Sequence, residues 1–196
     1  MLTLLLDSSN ANLSVGLAKD HHLIDFVHYD AWQRQSELMV NEVKTLLERN
    51  RFSHADLDAV ISAKGPGSYT GVRIALTIGK VIASALNIPL YIVSSLEAMK
   101  DPNKPSVCVS NARSKRSYIG VYDGNEVLLQ DTIWTNDEVL AFLKDHPDHV
   151  LRGEGKHLGL DIVPSNPLEV LKDCDDEKHL CADPLGAKPV YLKDNG

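Results

Sequence analysis

No stretch of the 196 residues approaches the roughly 20 apolar residues that a membrane helix needs. The apolar start, Met1 to Leu6, has no basic residue before it and gives way at once to Asp7-Ser8-Ser9-Asn10, which excludes a signal-peptide core. A cytosolic protein with no membrane contact is expected. Cysteine is scarce: Cys108, Cys174 and Cys181 are an odd number at no framework spacing, which fits a reducing compartment better than a disulfide scaffold. Positive charge is also short. With 20 Lys and Arg against 27 Asp and Glu, the net charge is -7, which argues against gripping nucleic acid mainly through the chain's own surface. The one basic cluster, Lys100, Lys104, Arg113, Lys115 and Arg116, lacks an aromatic ladder and reads as a solvated loop. Metal-ligand spacing is missing too, since His21 and His22 are adjacent, His146 and His149 flank Pro147, and Cys174, His179 and Cys181 lie in an acidic tail. No nucleophile elbow or zinc motif marks a peptidase. No metal and no cofactor is therefore expected.

What is present is the balance of an ordinary globular protein, 43% hydrophobic and 24% charged, long enough for one domain or two small lobes. Residues 2 to 7 form an apolar run, Leu13, Val15 and Leu17 alternate, and Leu23 to Tyr29 makes a third strand, so a meander opens the chain. Ser36 to Arg49 turns to helical period. Leu57 to Ala63 reads as a buried strand, about Thr70 to Leu86 as a helix stopped by Asn87 and Pro89, and Leu90 to Val93 as a strand. This β-β-β-α-β-α-β order is that of the first lobe of the actin, sugar-kinase and chaperone superfamily. Strands at Val107 to Val109, Tyr118 to Tyr122 and Val127 to Thr132, with a type I′ turn at Asp123-Gly124 or Gly124-Asn125 and a helix at Asn136 to Lys144, begin a second, shorter copy. The expectation is an α/β, actin-like, sugar-kinase-like (ASKHA, ribonuclease H-like) two-lobe fold, with lobes at 1–97 and 98–196. Glu169, Asp173, Asp175, Asp176, Glu177 and Asp183, among Pro164, Pro167, Pro184 and Pro189, predict an extended tail around one short helix, dispensable for the fold.

The most informative stretch is Gly65-Pro66-Gly67-Ser68-Tyr69-Thr70-Gly71-Val72-Arg73. By itself it is a tight turn with Ser68 or Thr70 placed to cap the following helix. Its glycines give neither the dinucleotide fingerprint nor a P-loop. With Leu4-Leu5-Leu6-Asp7-Ser8-Ser9, Ser36-Glu37-Leu38, Ile74-Ala75-Leu76 and Ser94-Ser95-Leu96-Glu97-Ala98, it resembles the signature of the TsaB family. Ala112-Arg113, Gly153-Glu154-Gly155 and Pro189-Val190-Tyr191-Leu192 extend the resemblance more thinly. Gln35 and Asn111 depart from the family's usual His and Asp, and the second lobe is shorter than usual. The resemblance implies a non-catalytic subunit of a TsaD-type enzyme, which transfers a threonylcarbamoyl group to an adenosine beside the tRNA anticodon. It also implies a TsaE-type ATPase in the same complex, tRNA contact mainly through that complex, and a second copy as partner when the chain is alone.

Asp7, Ser8 and Ser9 stand where related kinases hold phosphate and read as a relic, because no Asp-Gly-Gly-Thr hairpin follows. A small actin-fold kinase or ATPase, and a peptidase acting on the partner, stay open as alternatives. The partner surface is expected on two helices. On the second, Arg73, Thr77, Lys80 and Ser84 fill one narrow polar arc, leaving an apolar arc, including Ile74, Ile78 and Ile82, about twice what docking on one core requires. On the first, Leu38 falls among Asn41, Glu42, Thr45 and Arg49, opposite the Met39, Val43, Leu46 and Leu47 stripe. These readings make Leu38, Asn41, Glu42, Thr45, Ile74, Ile78 and Ile82 the expected contact.

Overall fold

In the computed structural model, which describes residues 1–162 and 165–192, the apolar alternation of the first thirty residues becomes a meander. The strands β1 (Leu2–Asp7), β2 (Asn12–Lys19) and β3 (His22–Asp30) pair antiparallel. Asp20 and His21, with φ of 50° and 64°, supply the two left-handed residues that a tight β2–β3 hairpin demands. After α1 (Gln35–Arg49), β4 (Ala59–Ala63) pairs parallel with β1, and after α2 (Tyr69–Leu86), β5 (Leu90–Val93) pairs parallel with β4. The sheet order is β3-β2-β1-β4-β5. Both helices lie on one face, where Leu4, Leu6, Val15, Met39, Leu46 and Leu76 meet in a shared core. Asn87, left-handed at φ 54°, ends α2.

The second sheet repeats the plan in shorter form. Its strands β6 (Ser106–Arg113), β7 (Arg116–Asp123), β8 (Glu126–Thr135) and β9 (Val150–Gly153) run in the order β8-β7-β6-β9. The helix α3 (Asn136–Asp145) starts at a capping box of Thr135 and Glu138 and packs over Val107, Ile119 and Val121. At the β7–β8 turn the pairing of Asp123 with Glu126 makes Gly124 and Asn125 the loop, and of these only Gly124 has positive φ, 55°. That is type II′ geometry, a correction to the type I′ expectation.

The C-terminal segment corrects a larger expectation. The segment expected as an extended tail packs on the first sheet. The short helix α4 (Leu168–Leu171) buries Leu168, Val170 and Leu171 with Leu5, Ile61, Val93 and Cys174, on the face of the first sheet opposite α1 and α2. Further on, Ile92 N–H donates to the His179 carbonyl and Cys181 N–H to that of Leu90, each at 2.8 Å, covering the free edge of β5. Prolines and acidic residues punctuate the segment, but Leu168, Val170, Leu171, Cys174 and Ala187 turn inward. Pro164 lies outside the described residues. By length and composition alone α2 could cross a membrane, yet its Gly71, Val72, Ala75, Leu76, Gly79 and Ala83 stripe is packed on the sheet.

Candidate functional site

The Gly65–Arg73 motif is locked to the turn after β1. Ser68 N–H donates to the Ser9 carbonyl at 2.7 Å, Ser8 Oγ donates to the Gly71 carbonyl at 2.7 Å, and Ser68 Oγ accepts from Gly71 N–H at 3.3 Å as the α2 cap. Glycine is required here by approach as well as by conformation. A Cβ on Gly71 would collide with the Ser8 carbonyl oxygen, and one on Gly67 with that of Ser9. Gly65, at φ 96°, donates its N–H to Ser95 Oγ at 3.0 Å. Thus Ser8 and Ser9 do meet Gly67, Ser68 and Gly71, as closely packed backbone, while Gly65 is tied instead to Ser95. Asp7 is buried and accepts from Ser9 N–H at 2.8 Å. Burial raises its carboxyl pKa, and the bonds with Ser9 only partly offset that rise.

Arg73 and Thr70, also in the motif, are exposed. The Arg73 guanidinium lies over the Tyr69 ring at 4.1 Å and its Nε donates to the Tyr191 hydroxyl at 2.7 Å, while Tyr69 and Tyr191 stack at 5.0 Å. The returning segment is therefore clamped at the start of α2. Its partner Tyr191 entered the sequence reading only through the terminal Pro-Val-Tyr-Leu run. Gln35, at the start of α1, donates to the Asn10 and Ala11 carbonyls at 3.1 and 3.3 Å. Lys100, expected in a solvated loop, is instead half-buried, with its side chain only 9% exposed and paired with Glu97 at 3.6 Å.

The face of α1 and α2 turned away from the sheet holds an open groove of about 420 Å³, walled by Val40, Ile74, Ile78, Thr77 and Tyr69. Val40 is 57% exposed and Val81 60% exposed, beside half-buried Ile74, Ile78 and Ile82. The expected contact residues divide between two flanks. Leu38 is half-buried and packs against the core, so it is not the outward apolar residue that its helical position suggested. It shares the β3 flank with Glu42, which accepts from the Tyr29 hydroxyl at 2.6 Å, while Asn41 and Thr45 are exposed. Val40 was missed. At 100° per residue it falls about 20° from Leu47, on the flank of the core stripe that faces α2, so the periodicity did carry the signal.

Two unequal lobes, each an antiparallel meander extended by parallel pairing and covered by helices, define an actin-like α/β protein of the ASKHA, ribonuclease H-like class. The family model described as "TsaD: tRNA N6-adenosine threonylcarbamoyltransferase" matches residues 29–146. The chain belongs to that family, and within it to the TsaB (YeaZ) branch. It is 32% identical over 146 residues to the tRNA threonylcarbamoyladenosine biosynthesis protein TsaB of Bacillus subtilis, covering 72% of this chain and 63% of that protein. With the TsaB of Escherichia coli it shares 28% over 156 residues, 76% of this chain and 65% of the relative. The match thus spans under two thirds of each relative's length. YeaZ from Pseudomonas aeruginosa superposes with a TM-score of 0.80 at 23% identity, over 97% of this chain and 99% of that one. A further structure, described as an uncharacterized protein with similarity to peptidase YEAZ, superposes at 0.76 with 22% identity, over 98% and 99% of the two chains.

Proposed function

We propose that the chain is a non-catalytic subunit that binds and activates the TsaD-type enzyme transferring the threonylcarbamoyl group to adenosine beside the tRNA anticodon. The observation that carries this reading is the exposed apolar groove between α1 and α2, on a helix pair whose inner face already has a complete core. An exposed Val40 beside half-buried Ile74 and Ile78, with Val81 exposed further along α2, is the composition of a docking face, and covering these residues removes apolar surface from water. Of the residues first expected there, Ile74, Ile78 and Ile82 stay in the proposed contact, joined by Val40 and Val81. Leu38, Asn41, Glu42 and Thr45 belong to a neighbouring flank that a larger partner would reach.

The same face would take a second copy when the enzyme is absent. A TsaE-type ATPase and tRNA would join through the assembled complex, in the cytoplasm. The enclosure of Asp7 behind Ser9 and the glycine motif supports a subunit without its own phosphate chemistry. The kinase or ATPase alternative requires ATP turnover by the purified chain, and the peptidase alternative requires cleavage of the enzyme subunit on mixing. The deciding experiment is co-elution with the TsaD homologue of the same cell, followed by tRNA modification with and without this chain. Separate elution with undiminished modification by the enzyme alone defeats the reading.

A further inference from the structure

His146 and His149 share no helical face, because Pro147 stands between them, yet the turn that Pro147 builds brings them together. The helix α3 stops at Asp145, and His146-Pro147-Asp148-His149 closes a β-turn in which His149 N–H donates to the His146 carbonyl at 3.1 Å. Proline at the second position presets the backbone angle there, and a turn of this kind holds its first and fourth Cα atoms within about 7 Å. The two imidazoles stand with ring centres 5.1 Å apart.

Their nitrogens are arranged alike. His146 Nδ1 lies 2.9 Å from the Phe142 carbonyl oxygen, and His149 Nδ1 lies 3.2 Å from Asp148 Oδ1. Carbonyl and carboxylate oxygens only accept, so in each ring Nδ1 carries the proton and donates, which leaves Nε2 of the neutral imidazole as a lone pair. Neither Nε2 has a hydrogen-bond partner among the described residues, and of the described histidine nitrogens only His157 Nδ1 is both buried and unpartnered, so these two lone pairs are open to solvent. An Nδ1–H held by a backbone carbonyl or a carboxylate, with Nε2 free, is the arrangement of metal-ligating histidines, in which the outer bond fixes the ring and raises its basicity. Here it occurs twice, side by side.

The spacing fits one shared ion. With each nitrogen about 2.0–2.1 Å from the ion, each ring centre lies about 3.2 Å from it, and two imidazoles at a tetrahedral angle have centres about 5.2 Å apart. Packing also holds the rings in place. Phe142 stacks on His146 at 3.9 Å and 18°, and meets Trp134 and His149 edge-on at 5.6 and 6.2 Å. The His149 side chain is only 11% exposed. Covering Phe142 accounts for one stacked imidazole, but not for a second with its lone pair open to water. Charge agrees: exposed Asp145 and Asp148 outnumber exposed Lys144, and the turn lies at the negative end of α3.

We propose that the His146–His149 turn binds one divalent ion of the zinc class through Nε2 of both imidazoles, with water in the remaining positions. Imidazole suits Zn²⁺, Ni²⁺ and Cu²⁺, whereas Mg²⁺ prefers oxygen donors. Among the described residues no third His, Cys, Asp or Glu joins the pair, so the site is open, unlike a closed four-ligand structural site. The bound ion ties the end of α3 to the start of β9. The site lies in the second lobe and shares no residue with the α1–α2 groove, so its failure and the failure of subunit binding are distinguishable.

The test is isothermal titration calorimetry of the full chain with Zn²⁺, Ni²⁺ and Mg²⁺, with the histidine ring nitrogens followed by NMR. One Zn²⁺ per chain is expected with a Kd below about 0.1 mM, and Mg²⁺ is expected to give no heat. Zn²⁺ at about ten times Kd should raise the melting temperature by about 3 °C. His149→Asn removes one bond to an exposed carboxylate, so the metal-free chain should still fold, while its Zn²⁺ affinity falls tenfold or more. His146→Asn should weaken binding equally, and if loss of its stacking unfolds the chain, His149→Asn decides alone. His21→Asn, at a histidine 3.6 Å from Asp173, should bind Zn²⁺ as the parent does. In the NMR spectrum the Nε2 resonances of His146 and His149 should move together. No binding of Zn²⁺ or Ni²⁺ overturns the proposal. So does affinity undiminished in His149→Asn, Mg²⁺ bound as tightly as Zn²⁺, or Zn²⁺ shifts confined to other histidines.

Discussion

Ser8 Oγ donates to the carbonyl oxygen of Gly71 at 2.7 Å, joining the turn after the first strand to the first turn of α2 across 63 residues of chain. The bond is buried, and the Gly71 backbone approaches Ser8 more closely than any side chain permits. Packing at that distance explains why a glycine-rich stretch that matches no phosphate loop is nonetheless rigidly specified. Ser8→Ala is expected to cost about 1 kcal/mol, the loss of one hydrogen bond. Gly71→Ala is expected to cost more than about 2 kcal/mol, because neither backbone segment can move without disturbing the sheet or the helix. Urea unfolding of both variants checks the order, and equal midpoints for Gly71→Ala and the parent chain would refute the packing argument.

The returning C-terminal segment yields a second prediction. Leu168 is fully buried against the face of the first sheet that carries Leu5 and Ile61. Leu168→Ala is expected to destabilise the chain by about 2–4 kcal/mol. A chain ending near residue 162 should fail to remain soluble, since it uncovers that face together with the edge of β5. A soluble, cooperatively melting truncation would show that the first lobe stands without its cover.

The strands and helices of the first lobe were legible because period 2 and period 3.6 are strong in Leu4–Leu6, Val15–Leu17 and residues 72–86. The C-terminal cover was not legible, because α4 contributes one turn and its buried residues, Leu168, Leu171 and Cys174, are diluted by acid and proline. The β6–β7 hairpin was equally silent. Ser114 and Lys115 take φ of 50° and 60° there without the Gly or Asn that marks such a turn. Of the candidate site, the Gly65–Arg73 motif was plain, whereas its locking onto Ser8 and Ser9 depends on non-local contact that no local pattern encodes. The helix face was half visible: projection found its isoleucines but assigned Leu38 outward, when its flank is covered by the β3 side of the lobe.

A third prediction concerns acid. Glu97 is buried where the returning segment crosses, 2.8 Å from Lys178 Nζ and 3.4 Å from His179 Nε2. Burial alone would raise its carboxyl pKa, but the bonds from His179 and Lys178 outweigh it and hold the value down from 4.5 to about 2. A carboxylate depressed in the folded state contributes stability above its unfolded pKa and loses it as pH falls through the folded one. That contribution is on the order of 3 kcal/mol, fully present at pH 7 and fading from about pH 4.5 to about pH 2. Glu97→Gln should therefore melt below the parent at pH 7, with the gap closing in that window. A gap independent of pH would mean that shape, and not charge, fixes Glu97.

The last prediction separates the two flanks of α1. If the α1–α2 groove is the face that meets the enzyme subunit, a carboxylate placed on its rim must be desolvated in the complex, at a cost of several kcal/mol when no partner charge awaits it. In the free chain the same carboxylate stays in water. Val40, which lines the groove, and Val81, about 20° from Ile74 on the same face of α2 and two turns further along, are the residues for this test, because each is more than half exposed and neither belongs to the core. Surface substitutions away from special features stay within about 0.5 kcal/mol, so Val40→Glu and Val81→Glu should keep the parent's circular dichroism and melting temperature. Both should lose co-elution with the TsaD homologue and fail to support tRNA modification. Thr45→Glu, on the exposed outer side of the same helix, should retain both. Leu38→Glu should behave differently again: it puts charge on a half-buried side chain that packs on Met39's core cluster, so its melting temperature should drop before binding is even asked. Normal co-elution of Val40→Glu and Val81→Glu at unchanged stability would show that the groove is not the docking face, and loss of binding by Thr45→Glu alone would move that face to the β3 flank.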